Sequence, residues 1–360
     1  MINVTKTYLP PIEEYYDYLK KIWEHGWVTN NGPLVQELEQ KLKDYLGVKH
    51  LIFCSNGTIA LQIAIKALGL KREIITTPFS YVATVNSILW ENCTPVFVDI
   101  DPNTLCIDAN KIEEAITENT EAILAVHVYG IPCDVKGIGS IAAKQKLKVI
   151  YDGAHAFGVK LNGTSVFNFG DVSTCSFHAT KLFHTVEGGA IITNDDELAQ
   201  KIIHHRQFGH SGDDYFCLGV NGKNSEMHAA MGLCNLPKVD WLIKKRKEIF
   251  MWYTRLLAGS RNKTLEIPAG VEYNYAYFPA IFSSEREMLA MRKELENDGV
   301  FTRRYFFPSL NSLPHYKGST CPVSEDVSRR VLSLPLSHDL TYEEVERICS
   351  SVTSQVLTNV

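Results

Sequence analysis

Short β-branched runs alternate with amphipathic stretches from about residue 30 to residue 240. Period-2 and buried apolar runs predict strands at 50–54, 73–77, 94–98, 122–128, 148–151, 172–177 and 189–193. Period-3.6 patterns predict helices at 33–45, 58–68, 81–90, 110–116, 135–145 and 195–204. Strands a few residues long, apolar on both faces and interleaved with helices, imply an α/β fold with a mostly parallel, seven-stranded sheet covered on both sides. Chemistry in such folds collects at the carboxyl ends of the strands. After Pro237 the pattern changes to a basic amphipathic helix at 240–257, then polar Gly- and Pro-containing segments, then a helix-like end at 339–360. A large domain at 1–240 and a smaller α+β domain at 241–360 are expected, the first twenty or so residues joining the smaller one.

Composition changes this picture little. Hydrophobic residues make up 45% of 360 and charged ones 21%, an ordinary globular balance. A formal net charge of −5 provides no basic field for nucleic acid or an anionic membrane. The run Lys244-Lys245-Arg246-Lys247 reads as a solvated helix face. Nine cysteines without CxxC spacing, several inside apolar runs, fit a reduced cytoplasmic chain. The first eleven residues lack the apolar core of a signal peptide, and no apolar stretch reaches the roughly 18 residues of a membrane span.

Three segments carry candidate chemistry. Ser55-Asn56-Gly57-Thr58 closes a strand and opens a helix, which suits either a phosphate at a helix N-terminus or a plain N-cap. Asp152 ends the run Val149-Ile150-Tyr151-Asp152. A carboxylate at the end of a buried strand is costly unless paired, by a protonated pyridine nitrogen or by a helix it caps. Lys181 follows Ser176-Phe177-His178-Ala179-Thr180, between two apolar strands. A partly buried lysine there can lose its proton and attack a carbonyl.

Taken together, the phosphate turn, the strand-end aspartate and the Ser-x-x-x-x-Lys segment resemble the fold-type-I pyridoxal-phosphate enzymes. The wording is similar to the DegT/DnrJ/StrS family of sugar aminotransferases. The likeness runs from Trp27-Val28-Thr29-Asn30-Asn31-Gly32-Pro33 to Ser333-Leu334-Pro335. Its most specific pieces are the eight residues from Thr77 to Thr84, the seven from Pro95 to Asp101, the segments holding Asp152 and Lys181, and Gly219-Val220-Asn221. The resemblance implies pyridoxal 5′-phosphate as cofactor, cycling with its pyridoxamine form, and Lys181 as the Schiff-base lysine and proton shuttle. It implies Asp152 on the pyridinium nitrogen, Tyr81 on the ring face, His155 near the ring hydroxyl, and Gly57, Thr58 and Ser176 on the phosphate. Asn221 would reach the phosphate from the second subunit of a homodimer with shared sites. Relatives with His in place of the lysine dehydrate sugars instead. Gly222-Lys223-Asn224-Ser225-Glu226 departs from the commoner aromatic-Arg pattern.

Two rival motifs are weaker. Gly137-Ile138-Gly139-Ser140-Ile141-Ala142 matches a dinucleotide fingerprint but follows a Pro-Cys-Asp turn and lacks the acidic partner. His204-His205 and the pair His178 and His184 lack metal-ligand spacing, so no metal is expected. For the substrate, the resemblance points to a nucleotide-linked keto sugar aminated by an amino acid such as L-glutamate. Within the family the wording is nearest to enzymes of dTDP-4-keto-6-deoxyhexoses. That implies amination at the 4-position, to dTDP-4-amino-4,6-dideoxy-D-glucose for surface polysaccharide such as O-antigen; 3-amination or a GDP- or UDP-sugar is the alternative. Asn30, His178, Arg303 and Tyr305 are the candidate substrate residues, and His315-Tyr316 lies in the same region.

Overall fold

Strands that bury both faces need helices on both sides, and the chain supplies them. The computed structural model describes residues 1–314, 316 and 319–354. His315 and the last six residues of the expected 339–360 helix lie outside the described residues. Seven strands form one sheet: β1 (His50–Cys54), β2 (Glu73–Thr76), β3 (Thr94–Phe97), β4 (Thr120–Val126), β5 (Lys148–Asp152), β6 (Val172–Ser176) and β7 (Gly189–Thr193). Their order is β3-β2-β4-β5-β6-β7-β1, parallel throughout except for β7, which runs antiparallel to both neighbours. Pro95 is tolerated in β3 because that strand is the sheet edge. Helices α1 (Ile12–His25), α2 (Pro33–Leu46), α3 (Gly57–Ala67), α4 (Val82–Trp90), α5 (Val135–Gln145), α6 (Asp196–Arg206) and α7 (Glu226–Asn235) accompany the sheet. Alternation along β1 serves both layers: Ile52 and Cys54 pack with α3 and α6, whereas Leu51 and Phe53 enter the main core on the other face.

The strands expected through 77, 98, 128 and 177 stop one or two residues sooner. The residues left out of the ladder after Thr76 and Ser176 lead into the turns that carry Ser80, Tyr81, His178 and Lys181, which line the cavity. The stretch expected as a helix at 110–116 is two 3-10 turns, Ala109–Lys111 and Glu113–Ala115. Asp108 caps the first through the Asn110 amide, and Ile116 is already extended, which leaves no room for an α-helical run.

Helix α8 (Val239–Leu256) leads to a three-stranded antiparallel sheet of Lys263–Thr264, β8 (Phe278–Ile281) and β9 (Val331–Leu334), with α9 (Glu285–Asn297), α10 (Pro322–Arg330) and α11 (Tyr342–Ser354). The basic run on α8 is not wholly solvated: Arg246 is 4% exposed, because its position falls on the apolar stripe with Leu242, Ile249 and Tyr253. Helix α11 starts in a reciprocal cap between Thr341 and Glu344. Ile2–Asn3 pairs with Val300–Phe301. No helix among the described residues is long and apolar enough to cross a membrane.

Buried polar groups join segments far apart in sequence. Gly32 has no side chain to cap α2, and Glu226, 1% exposed, does so instead, accepting from the Leu34 and Val35 amides at 2.7 and 3.0 Å. Any side chain at Gly32 would meet that carboxylate, a Cβ standing 2.7 Å from its carbon. Asp99 plays the same part for α10, accepting from the Val323 and Ser324 amides at 2.9 Å each. Two segments that carry the family likeness, around Gly32 and Asp99, are thus joints of the fold. Glu226→Ala leaves two helix-end donors buried and is expected to lower stability by about 2 kcal/mol. A urea midpoint within error of the wild type would show that α2 needs no such cap.

Candidate active site

The carboxyl ends of β5 and β6 lie side by side, so Asp152 and Ser176, the last residues of those strands, face one opening. The cavity there has a volume of 320 Å³. Six sequence-predicted cofactor residues line it besides Lys181 itself: Gly57, Thr58, Tyr81, Asp152, His155 and Ser176. A larger cavity of 550 Å³ lies between α2, α8 and the hairpin around Lys160. The smaller one holds the buried titratable groups beside a lysine, and perturbed groups in a cleft mark chemistry better than volume does.

Asp152 is 6% exposed. Its Oδ2 accepts from the Thr84 hydroxyl at 2.8 Å, its Oδ1 from the Ala154 amide at 3.1 Å, and Thr84 is itself bonded to Ser80 at 2.7 Å. Burial pushes the carboxyl pKa above its ordinary value; the two hydrogen bonds and the Lys181 charge offset part of that rise. The lysine sits on a tight turn after β6, closed by its own amide donating to the His178 carbonyl at 2.8 Å. Gly188 lets β7 return past this turn, where a Cβ would strike Thr185, and Gly189 lets it pass the start of α3, where a Cβ would stand 2.5 Å from the Asn56 backbone. The Lys181 Nζ lies 3.5 Å from the Tyr277 hydroxyl.

His155 is 8% exposed, and its Nδ1 accepts from the Tyr129 amide at 3.2 Å. The proton of the neutral ring therefore sits on Nε2, and burial, with the Lys181 charge, holds the imidazole well below its ordinary pKa. Its ring stacks on Phe306 at 5.7 Å. Helix α3 begins at Gly57, capped by Asn56 through the Ile59 amide at 2.8 Å, so its positive end faces the cavity. A Cβ on Gly57 would stand 3.0 Å from that of Ser176, which keeps the turn close to β6. Tyr81, 61% exposed, stands at the mouth as the residue before α4.

Of the substrate candidates, His178 and Tyr305 line the cavity. His178 bonds to Thr180 at 2.8 Å and approaches Glu187 at 3.5 Å. Asn30, exposed at φ 62°, and Arg303, whose backbone bridges to Ser333, stand outside its walls. Asn221 is also outside this chain's cavity; its backbone bridges to Gln207 and its side chain accepts from Lys223 at 2.9 Å. Sequence reasoning missed Ser80, Thr84, Thr180, Glu187, Tyr277 and Phe306. Thr84 had one signal, its place one helical turn after Tyr81. The rival dinucleotide motif lies within α5, where Gly137 makes room for the capping carboxylate of Asp134.

A seven-stranded sheet of this order, with a lysine on the turn after its sixth strand, defines the fold-type-I pyridoxal-phosphate enzymes. Within that class the chain belongs to the DegT/DnrJ/EryC1/StrS aminotransferase family, whose model matches residues 11–353. It is 44% identical over 359 residues, 98% of each chain, to a dTDP-4-amino-4,6-dideoxy-D-glucose transaminase of Shigella dysenteriae. The structure of DesI in the presence of its TDP-sugar product superposes with a TM-score of 0.95 at 30% identity, covering 99% of this chain and 93% of that one. The PLP form of the putative sugar aminotransferase Spr1654 from Streptococcus pneumoniae superposes at 0.91 with 26% identity, covering 98% and 99%. Pyridoxal phosphate is the cofactor of this family, and the site fits it. A buried carboxylate suits the ring nitrogen, a helix N-terminus with Thr58 and Ser176 suits the phosphate, and a lysine amine lines the same cavity.

Burial of Asp152 has a consequence for the apoenzyme. Because the folded state raises the carboxyl pKa, it binds the proton more tightly than the unfolded chain does. This group's contribution to stability is then greatest below the ordinary carboxylate range and is lost as pH rises through the raised value. Asp152→Asn keeps an acceptor for Thr84 and removes the charge. Its apoenzyme is expected to melt about 2 °C higher than the wild type at pH 7, with the gap closing near pH 4. A less stable apo variant at pH 7 would contradict the burial argument.

Proposed function

We propose that this aminotransferase moves an amino group from L-glutamate to the 4-keto carbon of dTDP-4-keto-6-deoxy-D-glucose, giving dTDP-4-amino-4,6-dideoxy-D-glucose for surface polysaccharide or glycoconjugate synthesis in the cytoplasm. The observation that carries the reading is that Lys181 and Asp152 line one cavity of a chain that matches its Shigella relative over 98% of its length. Bound pyridoxal phosphate supplies an electron sink conjugated to the reacting carbon. The side chains do the rest. Asp152 keeps the ring nitrogen protonated, and His155 donates from Nε2 to the ring hydroxyl. Gly57, Thr58 and Ser176 hold the phosphate and Tyr81 covers the ring face. Lys181, as a free amine, would take the proton from the substrate carbon and return it to the carbon on the far side of the transferred nitrogen. A single cavity serves donor and acceptor in turn, which gives ping-pong kinetics.

His178 and Tyr305 would meet the sugar, with Asn30 and Arg303 on the nucleotide side. The working unit in this reading is a homodimer in which Asn221 completes the phosphate site of the opposite chain, a twofold arrangement with two equivalent sites. In this reading 1–240 is the cofactor-binding domain and 241–360 the smaller one, which the first twenty or so residues join, as the pairing of Ile2–Asn3 with Val300–Phe301 supports.

Purified enzyme with glutamate and a panel of dTDP-, GDP- and UDP-linked 3- and 4-keto sugars should aminate the dTDP-4-keto-6-deoxyglucose fastest, read as amine product by mass spectrometry. Faster turnover of a GDP- or UDP-sugar, or of a 3-keto isomer, would replace the substrate. Shared sites are checked by mixing two inactive parents, Lys181→Ala and Asn221→Asp, under subunit exchange. Each heterodimer should regain one working site, since the other collects both defects. No recovery from parents that fold and exchange would mean that each chain builds its own site.

A further inference from the structure

Arg246 and Asn274 are buried polar residues that the reaction outlined above leaves without a part. Arg246 forms no ion pair among the described residues; its Nη1 donates to the Ala276 carbonyl at 3.1 Å, and its Nε has no partner there. An arginine held out of water for one carbonyl is costly, so the position of that carbonyl has to matter. Asn274, 1% exposed, clamps the same segment to the site: its side chain donates to the His155 and Phe157 carbonyls at 2.8 and 3.0 Å and accepts from the Ala276 amide at 3.1 Å. Ala276 is thus held by both its amide and its carbonyl.

The next residue is Tyr277. It is 7% exposed, and its ring is wedged edge-on against His155 at 4.8 Å and Tyr305 at 5.7 Å. These contacts leave its hydroxyl beside the Lys181 Nζ, at 3.5 Å. We propose that Tyr277 is a positioning residue for the Lys181 amine, and that Arg246 and Asn274 form the lock that sets it. The phenol oxygen accepts an N–H from the freed lysine, which turns the nitrogen lone pair away from the tyrosine and towards the cavity. When the substrate C–H bond breaks, its electron pair stays with the carbon, the proton forms an N–H bond on Lys181, and the same oxygen accepts from the resulting ammonium. A hydrogen bond to a charged group is among the stronger ones in a protein interior.

The inference rests on Lys181 being the cofactor lysine, and the two fail differently. Borohydride reduction with peptide mapping tests the first: the pyridoxyl label should appear on Lys181, and label elsewhere removes both ideas. Tyr277→Phe tests the second, since it keeps the aromatic wall and removes only the hydroxyl. With the label still on Lys181, kcat is expected to fall about tenfold with glutamate KM nearly unchanged. The rate at which the apoenzyme captures added pyridoxal phosphate, followed in the violet absorption band, should fall by a similar factor. Wild-type kcat and capture rate in Tyr277→Phe would reduce Tyr277 to a wall. Arg246→Lys, which loses the planar fork, should slow the wild type but add nothing in the Tyr277→Phe background. Additive losses would overturn the lock.

Discussion

The site is arranged around a carboxylate kept out of water at the end of β5. Asp152 is held there by the geometry of a parallel sheet, which brings the carboxyl ends of adjacent strands to one edge. Its cost is only partly offset by Thr84 and the Ala154 amide, and the remaining compensation comes from positive charge. Lys181 supplies some of it from the turn after the neighbouring strand. A protonated ring nitrogen is the kind of group that would supply the rest. His155 answers the opposite demand: burial keeps it neutral, with its one proton directed by the Tyr129 amide.

Around this centre, buried polar side chains do what local sequence cannot. Glu226 finishes a helix that begins 193 residues earlier, at Pro33, and Asp99 finishes one that begins at Pro322. Arg206 joins Glu39 and the Phe53 carbonyl at 2.9 and 2.7 Å, fastening α6 to α2 and β1. Each is a charged group surrendered to the interior at a point where backbone groups or an opposite charge would otherwise go unpaired. Interactions of this kind set geometry more than they add stability. They tie both edges of the sheet, and the segment after α8, to the strand ends where the cavity opens.

Several such joints also explain why family-like segments are not all chemical. The Pro95–Asp101 wording centres on a helix cap, and the Asn30–Pro33 wording on a glycine that admits Glu226. The stretch 222–226, which departs from the commoner pattern, contains that same capping glutamate, and Asn224 donates to the Cys54 and Glu187 carbonyls. The basic run on α8 misled for a related reason: three of its four residues are solvated, and a charge count cannot tell which one turns inward.

The sequence by itself determined the alternation of seven strands with their helices, and the identity of Asp152, Lys181 and the α3 phosphate turn as the chemical candidates. Those signals are local: periods of 2 and 3.6 are written in neighbouring residues, and a polar residue ending a buried apolar run stands out against them. Helix 110–116 failed because capping by Asp108 and an extended Ile116 outweighed propensity over so short a stretch. Only the tertiary structure decided that Thr84 holds Asp152, and that Tyr277, 96 residues from Lys181, meets its amine. Such contacts depend on which strand lies beside which and on where the chain after α8 folds back, and no periodicity encodes a distance between segments.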